Sequence, residues 1–167
     1  VLSADAAEVM NKDTRRDVLR VVRGQFRLEW QGIHGVPHWA RVRCNGLTMA
    51  RANGARLDIV ELFAFLHDSR RFHDGRDREH GARGADFILQ LDRELLRLDR
   101  PGLEMLAYAV RHHSDGLTEA DVTVQTCWDS DRLDLGRVGI VPRPEKLCTA
   151  QARDPVLFER AYRRSVR

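Results

Sequence analysis

Between Leu57 and His67 the chain carries Ile59-Val60-Glu61-Leu62-Phe63-Ala64-Phe65-Leu66, a run that is apolar on most sides of a helix. A helix with one apolar stripe can lie on a surface, but one that is apolar nearly all round has to be enclosed by other elements. The run therefore predicts a central helix with the rest of the chain packed about it. At 167 residues the chain can bury one substantial core and is short for two. No segment approaches the ~18 apolar residues that a membrane span needs. The 43% apolar and 32% charged content is that of a soluble globular protein.

The remaining pattern is helical and punctuated by Gly and Pro. Val18, Val21, Val22, Phe26 and Trp30 mark an amphipathic helix from about Asp13 to Glu29. Gly32 to Pro37 reads as a loop. Pro37 suits the first turn of a second helix, where its missing N–H costs nothing, and Asn53-Gly54 is a C-terminal stop. After the central helix, Ser69 to Arg78 is polar, with Asp74-Gly75 as a turn. A long helix is expected from about Glu79 to Leu98, with Phe87, Leu91, Leu95 and Leu98 on one face. Pro101-Gly102 breaks the chain, and Leu103 to His113 forms the next helix. Thr118 and Asp121 resemble a capping arrangement for Glu119 to Trp128, and Asp154-Pro155 opens a last helix to about Arg164. No alternating strand or internal repeat stands out. The expected architecture is an all-α, single-domain helical bundle over residues 1–167.

The 28 basic residues outnumber the 25 acidic by only 3, a balance that speaks to solubility before partners. Lys12 and Lys146 are the only lysines. Arginine suits bidentate recognition of phosphate or carboxylate, so an anionic substrate is compatible, with no nucleic-acid signature. The cluster Arg160, Arg163, Arg164 and Arg167 reads as a solvated helix end that complements its own dipole. Cys44, Cys127 and Cys148 are odd in number and lack a C-x-x-C spacing, so they read as reduced thiols of a cytoplasmic protein. Val1-Leu2-Ser3-Ala4-Asp5 shows no basic segment followed by an apolar one, so no signal peptide is expected.

His67-Asp68, where the central helix ends, sets a neutral nitrogen ligand beside an anionic oxygen ligand, a pairing suited to a hard or borderline divalent cation. Around it recur His38, His80, His112, His113 and Asp131. His38 falls in the first turn of the second helix, with Arg41 three positions on and on nearly the same face. Asp131 and Asp134 lie one turn apart. Facing helices of a bundle are a workable frame for an ion site. His34 and His73 read as surface-loop residues. Trp30, Trp39 and Trp128 read as core or pocket-wall aromatics, with Trp39 or Trp128 placed to stack on a base.

These residues resemble the motifs of the HD-domain metal-dependent phosphohydrolases. His38-Trp39-Ala40-Arg41-Val42 is similar to the H-x-x-R-V opening, Leu66-His67-Asp68 to the H-D pair, and Asp131-Arg132-Leu133 to the closing D-[RK]-L. His80-Gly81-Ala82-Arg83-Gly84-Ala85 resembles an H-G-x-R-x-A segment of some members, and His112-His113 the paired histidines after it. The likeness covers a motif core of about residues 37–139. No G-Y-P follows His112-His113, only Ser114-Asp115-Gly116, which disfavours the cyclic-dinucleotide branch.

The resemblance implies an HD-type helical fold and a first divalent ion on His38, His67, Asp68 and Asp131, with Asp129 the alternative to Asp131. It implies a second ion shared through Asp68 with His80 and either His112 or His113. One or two ions are expected, from among Mn, Mg, Co, Fe, Ni and Zn. Asp68, His80 and Arg41 are the catalytic candidates, and Arg70, Arg71, Arg132 and Lys146 are candidates to hold phosphate oxygens. The implied activity is hydrolysis of a phosphoester or phosphoanhydride of a small metabolite, in particular a nucleotide, by water that the ion activates. A homo-oligomer is compatible. Two alternatives stand beside it: an HD-fold diiron oxygenase using His38, His67, Asp68, His80, His112 and Asp131, and a non-catalytic metal- or nucleotide-binding sensor.

Overall fold

A computed structural model describes residues 9–167, and the Val1-to-Asp5 stretch read for a signal peptide lies outside them. Nine α-helices follow in order: α1 (Lys12–Gln25), α2 (Val36–Asn53), α3 (Leu57–Leu66), α4 (His80–Gln90), α5 (Arg93–Leu96), α6 (Arg100–His112), α7 (Val122–Arg132), α8 (Ala150–Arg153) and α9 (Pro155–Ser165). Two 3-10 turns, Leu135–Val138 and Pro144–Lys146, lie between α7 and α8. Among the described residues there is no strand, and no helix is long and apolar enough to cross a membrane. The fold is all-α, as the sequence predicts.

The central-helix expectation describes α3. Every residue from Ile59 to Leu66 is buried, and α3 packs against α1, α2, α6 and α7. Each such Leu, Ile or Phe contributes about 1.5–3 kcal/mol by leaving water. Glu61, the one charge in the run, is fully buried and held by Arg15 at 2.9 Å and Arg43 at 2.6 Å. A second apolar cluster, Met49, Leu133, Leu147, Ala152 and Ala161, ties the C-terminal helices to α2.

Helix ends follow side-chain chemistry. Asn11, Asp92, Asp99, Asp121, Thr149 and Asp154 each accept a backbone N–H at the start of a helix, satisfying donors that have no partner within it. Gly54 closes α2 in the left-handed region at φ 78°, where a side chain would be strained.

Four boundaries differ from the sequence expectation. α7 spans Val122–Arg132 instead of Glu119 to Trp128, because Asp121 and not Thr118 caps it by accepting Thr123 N–H at 2.8 Å. α1 stops at Gln25 instead of Glu29, because Phe26 turns out to join Trp30 and Trp39 in an edge-to-face cluster with centroids 5.1–5.7 Å apart. The long helix expected from Glu79 to Leu98 is two, since Leu91 goes extended and Asp92 caps α5. Pro101 sits within the first turn of α6 instead of breaking the chain, and Asp99 caps that helix by accepting Gly102 N–H at 3.0 Å.

Candidate metal centre

One end of the bundle gathers the histidines. His38 lies in the first turn of α2, His67 and Asp68 directly follow α3, His80 begins α4, His113 directly follows α6, and Asp131 is in the last turn of α7. His38, His67, Asp68, His80 and His113 are all buried.

The donors form two clusters. In the first, His38 Nε2 lies 3.0 Å from His67 Nε2, 3.7 Å from Asp68 Oδ2 and 3.3 Å from Asp131 Oδ1. His67 Nε2 is 3.7 Å from Asp68 Oδ2 and 3.8 Å from Asp131 Oδ1. In the second, His80 Nε2 and His113 Nε2 are 2.8 Å apart and lie 3.3 and 3.6 Å from Asp68 Oδ1. Asp68 thus gives one oxygen to each cluster.

Proton placement tests whether such a site suits a cation. His38 Nδ1 donates to Asp134 Oδ2 at 2.7 Å and His67 Nδ1 to Phe63 O at 3.1 Å. His113 Nδ1 donates to Val110 O at 2.6 Å, and His80 Nδ1 to Asp77 O. With each Nδ1 proton so committed, the four rings can turn only Nε2 lone pairs toward one another and toward an ion. Lone pairs at such separations repel unless something positive lies between them. Donors ~2.1 Å from one ion sit about 3.0–3.4 Å apart at right-angled to tetrahedral geometry, close to the spacings here. Asp131 Oδ1 is buried without a hydrogen-bond donor, a cost that a cation would remove. The residues present fit a divalent ion at the first cluster and a second one across Asp68.

Electrostatics favour a cation at the first cluster. Burial pushes His67 down to about 3, against the pull of Asp68 and Asp131, so the ring is neutral and free to coordinate. Burial alone would raise Asp68, but His67, His113, His34 and His80 outweigh it and hold the carboxyl well below its usual range. Asp131 is likewise held low, burial being outweighed by His38, His67 and Arg137. His113 is raised because Asp68 overcomes the effect of burial.

Several expectations change. His113, not His112, enters the site; His112 is partly exposed and pairs with Asp115 at 2.7 Å. Asp129 is not at the centre: it accepts from Cys148 N, Thr149 N and Thr149 Oγ1, each at 2.8 Å, and fastens that segment to α7. Arg41 does not face the site but binds Asp134 through Nε at 2.7 Å, bracing the carboxylate that orients His38. Arg70 turns away to Gln25. Arg132 spends its terminal nitrogens on Lys146 O, Cys148 Sγ and Leu117 O. Trp39 and Trp128 are fully buried, so neither can stack on a ligand.

His34 is no surface residue. It is buried, with Nδ1 2.9 Å from Asp68 Oδ2 and Nε2 3.2 Å from Asp74 O. Arg137, in the 3-10 turn after α7, went unnoticed in the sequence; its NH1 lies 3.7 Å from Asp131 Oδ1. Arg71 donates to Asp68 Oδ1 at 2.9 Å. A cavity of about 400 Å³ opens onto Asp131 and His113, with Arg71, Arg132, Arg137 and Lys146 on its walls.

No family model matches the chain, and no curated protein does. The solved structure of a protein described as a predicted HD superfamily hydrolase, from an uncultured Thermotogales bacterium, is similar with a TM-score of 0.69 and 27% identity. The likeness covers 90% of this chain and 86% of that one. With the helical fold and a histidine–aspartate cluster at one end of it, this likeness places the chain in the HD-domain superfamily.

Proposed function

We propose that the chain is a metal-dependent phosphohydrolase that cleaves a phosphoester or phosphoanhydride of a small metabolite, working as one cytoplasmic domain built around this centre. The observation that carries the reading is Asp68, whose two oxygens each face a separate set of imidazole donors beneath an arginine-walled cavity. His38, His67, Asp68 and Asp131 would hold a first ion, and Asp68, His80 and His113 a second. Such a bound divalent ion would supply a water of lowered pKa, toward ~7, and charge to offset phosphoryl oxygens.

The chain's own residues do the rest. Asp134 and the carbonyls of Phe63, Asp77 and Val110 lock the ring orientations through Nδ1, so only Nε2 is presented. In a one-ion enzyme the second set would be an acid–base pair. His80 Nε2, 3.3 Å from Asp68 Oδ1, would take the proton from the attacking water and return one to the leaving oxygen. The cavity admits substrate and water from the solvent side.

The test is elemental analysis of the purified protein and a phosphatase screen with Mn²⁺, Mg²⁺, Co²⁺ and Fe²⁺. Asp68→Ala should lose bound metal and hydrolysis while keeping helical circular dichroism; normal turnover in that variant would refute the reading. One observation favours a second reading: four imidazoles around a shared carboxylate also suit a diiron oxygenase. Iron-dependent O₂ consumption without phosphate release would support it.

A further inference from the structure

The cavity's cations are not equivalent. Arg71 fixes Nε on Asp68 Oδ1 at 2.9 Å and NH1 on Gly75 O at 3.2 Å. Arg137 fixes Nε on Ile33 O at 3.0 Å and NH1 on Asp134 O at 3.1 Å. Their side chains are only 13% and 7% exposed, so both forks are rigid. In each, NH2 has no hydrogen-bond partner among the described residues, and both residues line the same cavity. Of the carboxylates nearby, Asp134 accepts from His38 and Arg41, Asp68 accepts Arg71 Nε, and Asp131 Oδ1 lies 3.7 Å from Arg137 NH1. Arg71 stands over the Asp68 side of the centre and Arg137 over the Asp131 side.

The other cations do not extend this pair into a track. Arg132 is consumed by backbone carbonyls, Arg143 pairs with Glu145 at 2.7 Å, and Lys146 is left alone at the rim. Leu135, Ile140, Val141, Pro142 and Leu147 supply an apolar wall, and no Phe, Tyr or Trp lines the cavity, where the one ring is that of His113 in the donor set. A base would find no face to stack on, and stacking is a main sequence-tolerant source of base affinity. A volume of about 400 Å³ lies toward the small end of ligand pockets.

We propose that Arg71 and Arg137 form a two-sided guanidinium clamp for the terminal oxygens of a phosphomonoester whose remainder is a short aliphatic group seated on Leu135, Ile140 and Val141. This rests on the phosphohydrolase reading and narrows it away from nucleotides. A monoester offers three non-bridging oxygens and close to two negative charges at neutral pH, enough for two fixed forks and the centre together. A diester has one charge fewer and a second substituent to place. A triphosphate would have to extend to Arg143 and Lys146, which line the cavity without the fixed forks of Arg71 and Arg137.

The test uses the Mn²⁺-loaded full chain, with Arg71→Gln and Arg137→Gln. Inorganic phosphate is the binding probe, measured by calorimetry at Mn²⁺ concentrations that saturate each variant; each variant should weaken it roughly tenfold to a hundredfold with unchanged helicity. Hydrolysis of a short alkyl monophosphate, a nucleoside 5′-monophosphate and a dialkyl phosphodiester is then compared. The alkyl monoester should be preferred by at least tenfold in kcat/KM, and Arg137→Gln should lower its rate more than that of the diester, a discrimination that loss of mere structural support would not produce. Phosphate affinity unchanged in both variants, or preference for the nucleotide, would overturn the clamp or the substrate class. If no ester is cleaved under any metal, the hydrolase reading fails, and phosphate binding still decides the clamp.

Discussion

Gly81→Ala should empty the second donor set and spare the first. A methyl at Gly81 would stand 2.6 Å from Arg111 O and 2.9 Å from Val110 O. Carbon–oxygen contacts settle near 3.3 Å, so the start of α4 must retreat from α6 by roughly 0.7 Å. Its neighbour His80 rides with it, and His80 Nε2 now sits 2.8 Å from His113 Nε2. Val110 O is also the acceptor that orients His113, so the same methyl disturbs both rings. Coordination tolerates errors of about 0.2 Å, well under that retreat. The first set is carried by α2, α3 and α7, whereas the three atoms nearest the new methyl all belong to α6. Overpacking of this kind costs about 1–3 kcal/mol, so the variant should fold. Mn²⁺ titration followed by elemental analysis should show one ion fewer per chain than in the unmodified protein, with the tighter site unchanged. Two-ion loading of Gly81→Ala at unmodified affinity would refute the argument.

Asp134→Ala removes the acceptor of both His38 Nδ1 and Arg41; metal affinity should fall about 10–100-fold and stability by a few kcal/mol, read by metal titration and urea melts. In the metal-free protein, His67 at about 3 against an ordinary 6.5 means that the unfolded chain takes up a proton which the fold refuses, so stability falls as pH drops from 6.5 toward 3. Asp68 and Asp131, held below 3.8, add a further loss below about pH 4, whereas the raised His113 contributes stability in acid that is lost as pH rises past its folded value. The net expectation is a melting temperature that declines steeply from pH 6 to 4; a flat profile there would contradict it. Burial raises Cys127, and burial with Asp129 lifts Cys148 to about 12, so at pH 8 a thiolate-directed reagent should label exposed Cys44 first, as peptide mass mapping would show.

How much of this was legible in the sequence depends on the range of the contact that decides each feature. The enclosed α3 and the cap at Asp154 are local matters of residue type and spacing, and local pattern finds them; at α7 the same pattern points to Thr118, three residues before the true cap Asp121. The break at Leu91 escapes it because Leu95 and Leu98 return to the same core after Asp92 restarts the chain, so the apolar phase runs on across the gap. Choosing between His112 and His113 needed only the phase of α6. Leu106 and Val110 are fully buried and lie seven and three residues before His113, while Tyr108, four before His112, is 44% exposed. That signal was present and unused. Asp129 and Asp131 both lie at the buried end of α7, and phase does not separate them; the backbone N–H groups of Cys148 and Thr149, arriving from a later segment, claim the first and leave the second. Arg137 reaches its place through Ile33, 104 residues earlier, and His34 through Asp68, 34 residues on. Neither belongs to a motif, because each takes part only once chain closure brings a loop onto the end of the bundle. Residues of this kind leave no local pattern in the sequence, whereas the donor set does, which is why the motifs point to a chemistry and the cavity wall has to point to the substrate.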